Sequence, residues 1–211
     1  MEQLTEKQRE KIENGREYRS MTMTARSAAE GAESMAVEGY ATTFNQPYVL
    51  YQGRGYRVIE KIDPHAFDDC DMSDVIFQYD HEGRVFARTR NNTLSLEIDN
   101  KGLFIKAELS GTDDGRKLYQ EIKDGYIDRM SFGFEVGEDT REYTTDYEND
   151  METCTRTITK FSKLFDVSAV SRPANDRTSI RARKFSDGLI ADLKAEARAR
   201  KIKKIKLLME V

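Results

Sequence analysis

The sequence predicts a mainly-β fold with a few helices, an α+β arrangement built on an antiparallel β-barrel. Short segments alternate apolar and polar residues with period two, and clusters of Gly, Asn, Asp and Pro separate them. Only one or two stretches carry helical spacing. No strand–helix–strand alternation occurs, which argues against a parallel α/β sheet. The chain has 211 residues, 38% hydrophobic and 34% charged. That suffices for one domain of ordinary size plus polar extensions. There is no run of about 18 apolar residues and no apolar signal segment, so no membrane partner is expected. Two cysteines, Cys70 and Cys154, make no metal spacing and suit a reducing compartment.

Residues 1–34 read as a mobile polar leader. Thr5 to Gln8 fits a capping box, and a polar helix can run to about Arg19, but it has almost no apolar face with which to dock. The body begins near Met35. Val37, Gly39 and Ala41 alternate with Ala36, Tyr40 and Thr42 in a first strand. A second covers 56–62, and Asp63-Pro64 then opens a short turn or helix through Phe67. A third strand covers 75–80 and ends at His81, with Glu82-Gly83 as the turn. Segments 85–89, 93–98 and 103–109 form a meander whose turns are Asn91-Asn92 and 99–102.

Thr112 is a helix N-cap, with Asp113 and Asp114 in the first turn, where negative charge is favoured. Leu118 and Ile122 lie one turn apart, and Gly125 ends the helix. Residues 128–136 alternate again: Met130, Phe132, Phe134 and Val136 on one side, Ser131, Gly133 and Glu135 on the other. Between 135 and 152 eight acids face Arg141 alone, a solvated hairpin or loop. Segments 155–160 and 161–170 are strands, the second apolar on both faces. The body closes by residue 183, and a basic helix occupies 184–211. From Arg181 to Lys206 ten lysines and arginines stand against three acids. That stretch carries +7 in a chain of net charge −4, which leaves −11 elsewhere. An acidic body with a basic tail is not a general nucleic-acid binder; the tail suits an acidic protein partner.

Three residues suggest chemistry. A serine hydroxyl becomes a nucleophile when a base takes its proton, and the usual base is a histidine oriented by a carboxylate. Ser131 sits beside Gly133 on a half-buried strand. His81 ends an apolar strand. Asp166 lies among Leu164, Phe165 and Val167, where a carboxylate needs a partner. Taken singly, His81 also reads as a surface histidine and Ser131 as a structural serine. Together they read as nucleophile Ser131, base His81 and orienting acid Asp166. Other classes fit less well. There is no G-x-S-x-G elbow. His81-Glu82 is followed by Val85, so there is no H-E-x-x-H zinc site. Cys70, amid Asp68, Asp69 and Asp71, is in the wrong surroundings for a reactive thiolate.

At these residues the chain resembles the prohead maturation proteases of tailed bacteriophages, which share a fold with the herpesvirus assemblin proteases. The resemblance runs from about Met35 to Arg181. It is carried by Glu38-Gly39-Tyr40-Ala41 with Phe44, by 60–67, by Tyr79-Asp80-His81 and by 96–103. The later marks are Ile122-Lys123-Asp124-Gly125, Met130-Ser131-Phe132-Gly133-Phe134, 164–170 and Pro173-Ala174-Asn175. The resemblance implies an assemblin-type barrel and places its catalytic members on His81, Ser131 and Asp166, where many relatives carry Glu at the third position. His65, where relatives mostly have Gly, is expected to be non-catalytic. Arg172 is the side chain it suggests at the oxyanion. It implies an enzyme without metal or cofactor, acting inside the immature capsid in the host bacterial cytoplasm. The expected partners are scaffold or the scaffold-like N-terminal part of the major capsid protein as substrate, and the enzyme itself through self-association and autocleavage. The alternative reading is a non-catalytic capsid scaffold or assembly chaperone, which the charged terminal helices would suit.

Overall fold

The computed structural model describes residues 15–22, 26–27, 34–53, 55–149 and 151–171, with Ala195, Arg198, Ala199 and Ile202 beyond them. The basic helix expected over 184–211 therefore lies largely outside the described residues, as does the helix expected to begin at Thr5; those four later residues are helical. The strands are β1 Glu17–Thr22, β2 Arg26–Ser27, β3 Ala36–Thr43, β4 Tyr48–Gly53, β5 Tyr56–Ile62, β6 Ile76–Tyr79, β7 Glu82–Arg88, β8 Leu94–Ile98 and β9 Gly102–Glu108. Helix α1, Asp113–Lys123, precedes the long strands β10 Arg129–Asp146 and β11 Met151–Val170. The mainly-β, α+β reading holds.

The expected closed barrel is not what forms. Among the described residues there are two open sheets, one of seven strands in the order β1-β10-β11-β5-β4, with β6 and β7 joined to it through β11, and one of four in the order β2-β3-β9-β8. The organising unit is the β10–β11 hairpin. One edge of β11 takes β10 antiparallel. The other takes two strands in succession, both parallel: β5 along 152–158 and β6 along 166–169. Turn residues mark only neighbouring antiparallel pairs, so these long-range parallel pairings left no local signal. The sheets share one core, which includes Val37, Leu103 and Ile105 from the small sheet, Phe77, Phe132, Phe134, Phe161 and Leu164 from the large one, and Leu118 and Ile122 from α1. Phe132, Phe134 and Phe161 lie within 4.7–6.2 Å of one another, ring centre to ring centre. Truncating one of them to Ala would cost about 3–5 kcal/mol.

Local expectations fared unevenly. The Thr112 hydroxyl caps α1, accepting from the Gly115 amide at 3.0 Å, and Gly125 ends the helix with φ +79. Asp99 turns the β8–β9 hairpin by accepting from the amides of Lys101 and Gly102. Strand β4 carries no alternation that marked it. The acidic stretch is a hairpin, as one of its two readings held, with β10 running on to Asp146. The leader needs correction over 17–22. These residues are a strand, antiparallel on β10 from Glu17 opposite Phe134 to Thr22 opposite Arg129. What holds it is polar, so apolar patterning could not reveal it. Glu17, Arg19, Glu60 and Arg156 are all buried, and the guanidinium of Arg156 reaches Glu17 at 3.1 Å, Glu60 at 3.0 Å and Asp139 at 2.8 Å.

Candidate active site

Three strands of the large sheet converge on one place. In β10, Met130, Phe132 and Phe134 are buried in the core, so Ser131 and Gly133 turn to the other face. Strand β11 runs antiparallel with Ser168 opposite Ser131 and Asp166 opposite Gly133, which puts all four on that face. Across β11, β6 runs parallel with Tyr79 opposite Ala169 and delivers the next residues, Asp80 and His81.

The turn that carries His81 is not the one expected. β7 begins at Glu82, and the two-residue turn is Asp80-His81, with φ +49 and +61. Two positive φ values in a two-residue hairpin are the type I′ pattern, which Asn and Gly fill most readily. A histidine there is strained by roughly 1–2 kcal/mol. Its neighbour secures the turn. The Asp80 amide donates to the Ala169 carbonyl at 2.9 Å, and its carboxylate accepts from the Ser171 amide at 2.9 Å and from the Ser171 hydroxyl. The end of β11 and the histidine turn are thereby tied together.

The structure brings all three sequence-predicted residues into one chain of hydrogen bonds. Ser131 Oγ lies 2.7 Å from His81 Nε2, and His81 Nδ1 bonds Asp166 Oδ1. The Ser168 hydroxyl donates to the same carboxylate oxygen at 2.8 Å. Ser131 and Asp166 are fully buried, and His81 is 4% exposed. Burial pushes the Asp166 carboxyl up, but attraction to His81 and the hydrogen bonds from His81 and Ser168 outweigh it and hold the group below the usual carboxylate range. An ionised Asp166 can only accept, so Nδ1 carries the proton and Nε2 is left to take one from Ser131. Asp166 Oδ2 has no hydrogen-bond partner, and the Arg16 guanidinium stands 3.7 Å from it.

Gly133 proves necessary for a reason close to the one its residue type suggested. A Cβ there would lie 2.5 Å from Asp166 Oδ2 and 2.8 Å from the Tyr18 ring, so the glycine makes room for the acid rather than for a backbone.

Sequence reasoning missed the N-terminal contribution. Tyr18 places its ring centre 4.4 Å from that of His81, edge to face, and the Arg19 carbonyl accepts from Ser131 Oγ at 2.9 Å. Arg172 lies outside the described residues. His65 is exposed, its Nδ1 3.1 Å from Asp68. Burial, with Asp71 adding, pushes the Cys70 thiol up to about 11, which leaves it a poor nucleophile.

Comparison with known proteins identifies the family. No curated protein matches the chain. A solved structure of the bacteriophage T4 capsid assembly protease, gp21, aligns over 75% of this chain and 98% of its own, with 12% identity and a TM-score of 0.42. The family model described as caudovirus prohead serine protease matches residues 21–191, from within β1 to beyond the end of the described sheets. By that match over most of its length, the chain belongs to the caudovirus prohead serine protease family.

Proposed function

We propose that the chain is a serine endopeptidase of phage capsid maturation that uses Ser131 as nucleophile, His81 as general base and Asp166 as the group that orients it. The observation that carries the reading is the continuous contact from Ser131 Oγ through His81 to Asp166 on three separate strands. His81 Nε2 takes the hydroxyl proton as Ser131 Oγ bonds the peptide carbonyl carbon. The C–N bond then breaks, and the amine leaves with that proton. Water repeats the cycle and returns the hydroxyl. Arg172, just past β11, remains the candidate oxyanion donor with a backbone N–H. The assemblin-type kinship belongs to this proposal too, with two open sheets in place of a closed barrel. The alternative of a non-catalytic scaffold expects a mostly helical chain, and a strand-dominated core argues against it.

The substrates in this reading are scaffold or the scaffold-like N-terminal part of the major capsid protein, cut inside the prohead in the host bacterium, together with the enzyme's own termini. The test is incubation of the purified chain with prohead proteins: cleavage that Ser131→Ala abolishes supports it, and full cleavage by a folded Ser131→Ala protein sinks it. The basic segment 184–211 is assigned to recruitment. Its charges and its spaced Ile190, Leu193, Ile202 and Ile205 suit a groove with an acidic rim. Deleting it should leave peptide cleavage intact and lower the copies of enzyme per prohead; equal packaging would refute the role.

A further inference from the structure

Strand β1 covers Ser131 in the manner of a bound peptide. It adds antiparallel to the edge of β10 that β11 does not use, which is how extended peptides join a sheet. The register sets residue 20 opposite Ser131, and the Arg19 carbonyl accepts the Ser131 hydroxyl at 2.9 Å. The peptide bond nearest the nucleophile's reach on this strand is therefore Arg19–Ser20. The hydroxyl has one proton, and two acceptors stand near it, His81 Nε2 at 2.7 Å and the Arg19 carbonyl oxygen at 2.9 Å. A carbonyl that presents its oxygen to Ser131 Oγ competes with the base and is not placed for attack at its carbon.

The Arg19 side chain passes into the interior. Its Nε donates to Glu60 Oε1 at 2.6 Å and its Nη2 to Glu60 Oε2 at 2.9 Å, a two-pronged grip on one carboxylate, while the Tyr48 hydroxyl lies 3.1 Å from Nε. Glu60 is wholly buried and belongs to β5, not to β1. Burial pushes its carboxyl up, yet Arg19 above all, then Arg156 and Tyr48, hold it low. Removing β1 takes away Arg19 and Glu17 together. Glu60 and Asp139 then share Arg156, and the space shaped for a second guanidinium is left beside a buried carboxylate. A planar guanidinium fills it with two parallel hydrogen bonds; an ammonium cannot.

We propose that β1 occupies the groove that receives the substrate strand, that Glu60 with Tyr48 forms its pocket for an arginine side chain, and that the bond cut in a free substrate is the one after that arginine. The inference rests on the serine-peptidase reading for its cleavage step, in which the Ser131 Oγ–carbon bond forms at the arginine carbonyl. The bond to the next nitrogen breaks, His81 passes the proton to that nitrogen, and water releases the acyl group.

The test uses the full-length chain. A labelled peptide of residues 14–24 is titrated into Ser131→Ala protein, which binds without cutting. Adding Arg19→Ala to the protein should raise its affinity for the peptide at least tenfold, because the chain's own strand loses its hold. Changing the peptide's arginine at position 19 to alanine or lysine should lower affinity at least tenfold. Equal affinity of the two proteins, or no preference for the arginine peptide, overturns the proposal. If Arg19→Ala does not fold, hydrogen exchange on the single Ser131→Ala chain decides: saturating peptide should speed exchange of the amides in 17–22, and unchanged exchange, or no binding, overturns it. Active protein is then given the unlabelled peptide, and mass spectrometry should find the cut between Arg and Ser. Arginine-dependent binding with no cleavage supports the groove and removes the peptidase reading. Efficient cleavage of prohead proteins at bonds not preceded by arginine does the reverse.

Discussion

Ser131, Gly133 and Asp166 form a unit in which each side chain, or its absence, is fixed by the next. The hydroxyl finds His81 because the β6–β7 turn is pinned by Asp80, and the carboxylate finds His81 because residue 133 has no Cβ. Ser131→Ala and His81→Ala should each lower peptide hydrolysis on the order of 10⁴-fold or more with an unchanged circular dichroism spectrum. Retained activity in either would remove that residue from the mechanism. Gly133→Ala is the sharper test of geometry. Its methyl would displace Asp166 Oδ2 and Tyr18, so kcat should fall roughly 10²-fold, as for a misplacement of about 1 Å, while the melting temperature drops only modestly. A Gly133→Ala enzyme with normal kcat would show that Asp166 does not need its present seat. All three candidate residues were legible in the sequence: Ser131 on the polar side of a period-two strand, His81 at the end of an apolar strand, and Asp166 as the acid inside a strand apolar on both faces. The supporting roles of Asp80 and Ser168 were not: Asp80 bonds Ser171 from far away in the chain, and Ser168, two residues from Asp166, reads as one more small residue of a buried strand.

At the scale of elements, β1, β2 and β4 are the strands that patterning did not disclose. Of these, β1 and β4 carry polar groups into contact with Glu60, Arg19 from one and Tyr48 from the other. A strand docked by ion pairs has no apolar alternation for the eye to find, whereas β5, β9 and β10 alternate because most of their inward residues are apolar, such as Val58 and Ile62, Leu103 and Ile105, and Phe132 and Phe134. The buried ion-pair cluster makes a quantitative demand. Glu60→Ala leaves Arg19 and Arg156 short of a carboxylate in the interior and should destabilise the fold by about 3–5 kcal/mol. Urea unfolding that shifted by less than about 1 kcal/mol would mean that water or a rearranged Glu17 compensates.

At the scale of the whole molecule the same carboxylates set the response to acid. Asp166, Glu60 and Asp99 are all held below their ordinary range, the first two against the push of burial by His81 and Arg19 respectively, the last chiefly by the Tyr40 hydroxyl. The unfolded chain therefore binds protons at a higher pH than the folded one. Stability is fully present above about pH 5 and falls as acid is added through the ordinary carboxylate values near 4 and on through the lower folded ones. A melting temperature independent of pH between about 6 and 3 would contradict this assignment. The placement of β1 also bears on the order of folding. It is the first of the described strands in the chain, yet its partner β10 comes about 110 residues later. Every strand that builds the serine, histidine and aspartate arrangement lies between Ile76 and Val170 and can associate before that long loop closes. The β6–β11 pairing is nearly as long-range, with Asp166 opposite Ile76, so both form slowly, but β1 adds to an edge that exists only once β10 is in place. A refolding chain should thus pass through a stage in which the site is assembled but uncovered, visible as a transient of peptide hydrolysis that decays as the N-terminal strand zips onto its edge.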